Sequence, residues 1–390
     1  MPRHAARRKI AIVTGSRAEF GLLTPVIRAI GAHPRLEAHV IAAGSHFLGP
    51  ARTIRDVEAL FPVAGKVRMQ KAGHSTRADD ARAVARGIDG FSRAFAELQP
   101  GWVVVLGDRI EAFAAASAAA IAGIGVAHIH GGDRAEGIAD ESMRHAITKL
   151  AHLHLAATKQ SGERIIRMGE RAEHVHVVGS PAIDGLAGIR TTTDEQVRRL
   201  ILPRDWTHPH LVVLLHPSGI EGGEGAWFDE QVFRGAVVMA GPRVLTFAPN
   251  FDAGRERIER LRRLYAKDHG WASVEHLPRD QWISLLKWMA RKRVPLMGNS
   301  SAGLIEAAAL GVCAINVGPR QAGRERDRNV IDVPDPAVEM IPLVEKVRRR
   351  TRRLGPSRLY GDGRSGPRIA RLLAGVNPRD PALLRKQITY

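Results

Sequence analysis

The segment His128-Ile129-His130-Gly131-Gly132-Asp133, followed by Asp140 and the pair Arg144-His145, concentrates imidazoles, carboxylates and a guanidinium in a short stretch. The apolar run Val126–Ile129 ends in two glycines and a carboxylate, the pattern of a strand that delivers polar groups at its C-terminal edge. Carboxylates held close together cannot all ionise freely. One retains its proton, and the set divides into an acid and a base. Asp133 and Asp140 supply two of these groups. Asp108 supplies a third at the end of Leu106-Gly107-Asp108-Arg109, where a carboxylate can serve as base, metal ligand or helix cap. His128 and His130, two apart on a strand, share a face and with Asp133 suggest a metal. No further His/Cys cluster has ligand spacing, so acid–base chemistry is the favoured reading.

Other motifs end strands in the same way. Thr14-Gly15-Ser16-Arg17-Ala18-Glu19 joins a strand to a helix, where helix amides and Arg17 could hold a phosphate, although an ordinary strand–helix turn fits equally well. It matches neither the dinucleotide fingerprint nor the P-loop. Leu215-His216-Pro217 places an imidazole at a strand end. Gly298-Asn299-Ser300-Ser301 offers free amides and hydroxyls for a diphosphate, with Glu306 one turn on to take ribose hydroxyls. Gly318-Pro319-Arg320 adds a cation.

Positioning these groups requires a βαβα rhythm, and the sequence has one. Strands are expected at Ile10–Thr14, Ala38–Ala42, Trp102–Leu106, Val126–Ile129, Leu153–Ala157 and Val175–Val178. After a lapse around Asp184–Asp205 they resume at Leu211–Leu215, Arg243–Phe247, Ala272–Glu275, Pro295–Met297 and Val312–Val317. The intervening apolar-periodic stretches read as helices. The expected architecture is α/β: two Rossmann-like, doubly wound domains, residues 8–190 and 205–375, with a tail at 376–390. Their strand ends would face a cleft, and every motif above falls at such an end.

Composition limits the alternatives. The chain has 390 residues, 44% hydrophobic and 25% charged, a globular profile. No run reaches the roughly 18 apolar residues of a membrane span. The basic N-terminus leads into a strand rather than a signal-peptide core, and the single cysteine, Cys313, cannot form an intramolecular disulfide. The cytoplasm is the expected compartment. The net charge of +18 raises nucleic-acid binding. The arginines are spread along the whole chain, however, and aromatics make up only 5%, which leaves few stacking platforms. Anionic small molecules are the favoured partners.

Taken together, the motifs resemble the hydrolysing sugar-nucleotide 2-epimerases, the UDP-N-acetylglucosamine 2-epimerases of sialic- and legionaminic-acid synthesis. The resemblance rests on Thr14 to Glu19, Gly107-Asp108-Arg109, Arg144-His145-Ala146-Ile147-Thr148-Lys149-Leu150, Val178 to Asp184, His216-Pro217, Pro249 to Gly254, Gly298 to Ser301 and Arg320 to Arg324, in order over residues 9–335. It implies a glycosyltransferase-B-like fold, no metal and no cofactor, a UDP- or GDP-linked amino sugar as ligand, and a homodimer or homotetramer. By the same resemblance Asp108 and Asp140 are catalytic carboxylates, and His216 contacts the diphosphate or assists its departure. Arg17, Arg109, Ser300, Ser301 and Arg320 hold phosphates, Glu306 takes the ribose, and Asn250 and His276 line the nucleotide side. His145, in the matched Arg-His motif, is grouped with the substrate-binding residues.

The chain departs from the animal-type pattern, where a glutamate stands at the position of His130. Here the carboxylate comes later, as Asp133. We read Asp133 as replacing that glutamate with His130 assisting, which leaves the accepted sugar open. The alternatives are a non-hydrolysing epimerase, a glycosyltransferase of the same fold and, from another class, a basic nucleic-acid-binding protein.

Overall fold

Two parallel sheets organise the chain, each in its own unit. The computed structural model describes residues 6–49, 52–73, 76–134, 141–220, 222–249, 254–337, 340–352 and 354–390. In the first unit β1 (Arg8–Thr14), β2 (Leu36–Ala43), β3 (Val63–Val67), β4 (Trp102–Leu106), β5 (Gly125–Ile129), β6 (Leu153–Ala156) and β7 (Val175–Val177) lie in the order β3-β2-β1-β4-β5-β6-β7. The chain winds outward from β1 to β3, then returns past β1 to β4. The β1/β4 junction is therefore a topological switch point, where loops leaving the two strand ends diverge and open a crevice.

Both faces of this sheet are covered, which is why its strands read as continuous apolar runs. Ile10, Ile12, Val104 and Ile129 enter one core layer with the helix Arg17–Ala32. Ala11, Val13, Val103, Val105 and Val126 enter the other, against the helices Arg77–Leu98 and Ile110–Ile121. The latter helix buries Ala112, Ala114, Ala115, Ala116, Ala118 and Ala119. Side chains this small let it lie close to the sheet and its neighbour helix together. Among the described residues no helix is long and apolar enough to cross a membrane.

The second unit repeats the plan. Its strands β8 (Leu211–Leu214), β9 (Val244–Phe247), β10 (Ala272–Val274), β11 (Leu296–Gly298), β12 (Ala314–Val317) and β13 (Val330–Val333) are ordered β10-β9-β8-β11-β12-β13. The switch point lies between β8 and β11. Leu211, Val213, Phe233, Trp271, Met297 and Ile315 share one buried cluster on this sheet.

The structure differs from the sequence reading in three places. The edge strands β3 and β13 were not expected: β3 is interrupted by Gly65, and β13 carries an exposed Asp332. The polar stretch read as a linker holds the helix Asp194–Ile201, started by a Thr193/Gln196 capping box and anchored where Trp288 Nε1 donates to Asp194 Oδ1 at 2.7 Å. Most consequentially, the expected boundary at 375 is not where the second unit ends. The main run of that unit is Gly185–Tyr360, and Gly361–Tyr390 belong to the first. The helix Ser365–Gly375 buries Ile369, Ala370 and Leu373 against the helix Arg17–Ala32.

Asp184 fixes that return. Its buried carboxylate accepts the Ser365 amide at 2.9 Å and the Gly366 amide at 2.6 Å. Burial pushes its pKa up, against the pull of the two amides. Asp184→Ala is expected to lower the unfolding free energy by roughly 2–3 kcal/mol, because two charge-assisted bonds at a buried helix start are lost. Denaturant titration checks this; an unchanged midpoint contradicts it.

Candidate active site

In the first unit the site is built on the ends of β4 and β5. Gly107 turns the chain with φ +73°, and Asp108 follows. Arg144, on the helix Glu141–Leu150, is almost fully buried. Its guanidinium pairs with the Asp108 carboxylate and donates to the Asp133 carbonyl at 2.9 Å. A buried arginine needs such partners, because an uncompensated charge in the interior is costly. The helix therefore ties two neighbouring strand ends together. In the sequence Arg144 is only the cation that follows the carboxylates; in the structure it clamps one of them.

His130 lies one residue beyond β5 with φ +64°, a left-handed conformation that histidine tolerates better than most side chains. The reversal breaks the strand alternation, so His128 and His130 do not share a metal-binding face. His128 is wholly buried, with its Nε2 on the Gly107 carbonyl at 2.7 Å and Nδ1 3.2 Å from the Thr148 hydroxyl. Burial lowers its pKa to about 3, so it is neutral at pH 7 and braces the Asp108 turn. Among the described residues no group of three or more His, Cys, Asp or Glu side chains has the arrangement to hold a metal ion.

His130 Nδ1 instead lies 2.7 Å from Asp133 Oδ2, and its Nε2 lies 2.9 Å from the Ser180 hydroxyl. Ser161, in the first turn of the helix Lys159–Arg167, donates to Asp133 Oδ1 at 2.7 Å. Gly132 permits this approach: a Cβ there would strike the Ser161 carbonyl and come within 2.8 Å of Ile165. Asp108, Asp133 and His130 are thus brought together, with Arg144, Ser161 and Ser180 as supports that the sequence reading did not assign. Asp140 lies outside the described residues. His145 pairs with Glu141 at 3.4 Å on its own helix.

The Thr14–Glu19 turn is less open than a phosphate cradle. Glu19 takes the Gly15 amide at 2.9 Å, and the Ser16 hydroxyl caps Glu19. Arg17 is half-exposed and 3.8 Å from Asp56. A second carboxylate, Glu111, is buried against Gly15, where a Cβ would come within 2.5 Å of its Cγ. Glu111 accepts Arg109 Nε at 3.3 Å. Burial first, and the Glu111 charge further, push Glu19 up to about 8.

In the second unit the switch point is bracketed by Asn299. Its side chain accepts the His216 amide and donates to the His216 carbonyl, both at 2.8 Å. The Asn299 carbonyl accepts Gln321 at 2.9 Å and Arg320 at 3.3 Å. Arg320 and His216 are therefore fixed to one turn, which continues into Ser300 and Ser301. Ser300 caps a short 3-10 turn, Ser301–Gly303, and Glu306 opens the next helix. His276 is exposed just beyond β10. Asn250 lies outside the described residues.

A family model described as UDP-N-acetylglucosamine 2-epimerase matches residues 28–374. The chain belongs to this family. It is 33% identical over 389 residues, 98% of this chain and all of the relative, to a hydrolysing UDP-N,N'-diacetylbacillosamine 2-epimerase of Legionella pneumophila. It is 31% identical to a UDP-N-acetylglucosamine 2-epimerase of Neisseria meningitidis serogroup B, with 83% of each chain covered. A crystal structure of the Neisseria meningitidis UDP-GlcNAc 2-epimerase bound to UDP-GlcNAc superposes with TM-score 0.78 at 20% identity, covering 94% of this chain and 99% of the other. The expected glycosyltransferase-B-like fold is the fold of this epimerase family.

The buried Glu19 carboxyl sets a pH signature in this epimerase-family chain. A carboxyl raised from 4.5 to about 8 on folding contributes stability that is complete below pH 4.5 and lost as pH rises through 8. His128 and His46, lowered by burial to about 3 and about 4, act in the opposite direction below pH 6.5. Comparing the wild type with Glu19→Gln isolates the first effect. The glutamine variant is expected to gain stability relative to wild type as pH rises from 4.5 to 8, read by thermal melts across that window. Parallel curves contradict it.

Proposed function

We propose that the protein is a hydrolysing sugar-nucleotide 2-epimerase acting on a UDP-linked 2-acetamido sugar. The observation that carries this reading is one buried Arg144 that pairs with the Asp108 carboxylate and holds the main-chain carbonyl of Asp133, at the ends of adjacent strands. Near-full-length similarity to an enzyme named as hydrolysing supports the choice of branch.

The chemistry makes specific demands. The C2–H bond is weakly acidic, so its proton must leave to a positioned carboxylate while the nucleoside diphosphate departs from C1. Two electrons from C2–H form the C1–C2 double bond of a glycal, and the C1–O pair leaves with the diphosphate. Water then adds its oxygen to C1, and C2 receives a proton on the opposite face. The product is the free 2-epimeric sugar. Asp108, Asp133 and Asp140 are our candidates for these proton transfers. The Ser300–Ser301 turn, Arg320 and His216 would take the developing diphosphate charge, as fixed donors do best in a pre-formed site. Arg17 and Arg109 would add cationic support, Glu306 and Asn250 would meet the nucleoside, and His276 would lie on the same side. His145 would take part in substrate binding.

The relatives' names favour uridine as the nucleoside, and an N-acetylglucosamine or 2,4-diacetamido sugar as the hexose. The same reading makes the protein a cytoplasmic homo-oligomer that feeds sialic- or legionaminic-acid-type synthesis. Incubation with UDP-N-acetylglucosamine, UDP-diacetylbacillosamine and its GDP counterpart tests the proposal. Free 2-epimeric sugar with an equal amount of nucleoside diphosphate is expected from at least one UDP-sugar. Asp108→Asn should reduce turnover by about 10²–10⁴-fold, the usual share of a general acid or base. An accumulating UDP-linked epimer, or no turnover of any of the three, overturns the proposal.

A further inference from the structure

We propose that Ser180 is a positioning residue that locks the tautomer of His130, and through it the direction of the Asp133 carboxylate. Ser180 follows β7, two residues after Val178, and is fully buried. Its Oγ accepts the Ala182 amide at 3.2 Å and lies 2.9 Å from His130 Nε2. A hydroxyl carries a single hydrogen. Among the described residues His130 Nε2 is the only acceptor within reach of that hydrogen. Were Nε2 protonated, it would donate to the Ser180 oxygen and the buried Ser180 hydrogen would have no acceptor. An unsatisfied buried donor is costly enough to decide the arrangement.

The consequence passes through the ring. With Nε2 as acceptor, the imidazole proton sits on Nδ1, 2.7 Å from Asp133 Oδ2, and is donated to it. Ser161 donates to the other oxygen. Asp133 is thereby held between two donors and cannot rotate about its carboxyl axis. The constellation looks like a Ser-His-Asp triad, but it runs in the reverse sense. Ser180 is not a nucleophile, because it is buried and its hydrogen is what holds the histidine. Both ring nitrogens of His130 are used inside the protein, so His130 acts on the substrate only through Asp133.

This inference deepens the proposed function at the same site, and its test separates the two. Protein labelled with ¹⁵N-histidine is examined without substrate by long-range ¹H–¹⁵N spectra, and His130 is assigned by comparison with His130→Gln. The wild type is expected to show a protonated Nδ1 and a bare Nε2. Ser180→Ala is expected to lose that pattern, and Ser180→Thr, which keeps the hydroxyl, to retain it. Turnover of the UDP-sugar should follow the tautomer: about tenfold lower kcat in Ser180→Ala, corresponding to one lost hydrogen bond, with KM little changed and Ser180→Thr near wild type. A wild-type His130 protonated on Nε2, or an Nδ1 pattern that survives Ser180→Ala, overturns the proposal. The wild-type spectrum decides even if the alanine variant does not fold, and the tautomer is read whether or not any sugar nucleotide is turned over.

Discussion

The site depends on a single buried guanidinium. Arg144 has almost no solvent contact, yet its charge is balanced by Asp108 and its remaining reach is used on the Asp133 carbonyl. Replacing it would leave Asp108 without its partner and would detach the helix Glu141–Leu150 from two strand ends. The far end of that helix is also held. Lys386 donates to the carbonyls of Lys149 and Ala151, both at 2.6 Å, and to Glu170 at 2.7 Å. Burial works to raise the Glu170 carboxyl, but hydrogen bonds from His154, Lys149 and Lys386 outweigh it and hold the group at about 2. The last residues of the chain thus brace the helix that carries the clamp.

The two units solve a common problem with different side chains. In each, a parallel sheet reverses its winding, and the loops at the reversal carry polar groups that must be held rigidly. The first unit uses charge, through Arg144 and its partners. The second uses an amide: Asn299 brackets the backbone of His216 while its own carbonyl holds Arg320 and Gln321. The first arrangement neutralises a buried cation with a carboxylate. The second fixes donors without introducing a competing negative charge, which suits a region proposed to meet a diphosphate. The left-handed backbone at His130 costs on the order of 1–3 kcal/mol, offset by its amide bond to Leu155 and by both ring contacts.

The strand–helix rhythm was legible in the sequence because buried parallel strands are apolar on both faces. The central strands β1, β4, β5 and β8 stood out for that reason, whereas β3 and β13, at sheet edges with Gly65 and Asp332, did not. The cluster Asp108, His130 and Asp133 was also legible, because glycines and charged residues interrupt apolar runs at the strand ends. Arg144 was visible as a residue but not in its role, since a cation beside carboxylates in sequence says nothing about which one it meets. Ser161, Ser180 and Glu111 carried no local signal. They reach the site through pairings of β4 to β7 and through the close approach at Gly132 and Gly15. The return of Gly361–Tyr390 to the first unit was hidden for the same reason: Asp184 and the amides it accepts are far apart in sequence.

In the proposed reaction the carboxylates work on carbon rather than on phosphorus. Turnover of a UDP-linked acetamido sugar in water labelled with both ²H and ¹⁸O, followed by mass spectrometry of both products, tests it most directly. The expected result is ²H at C2 of the released sugar, ¹⁸O at its C1, and no ¹⁸O in the nucleoside diphosphate. Isotope in the diphosphate, or a released sugar that keeps its original C2 hydrogen, would contradict it.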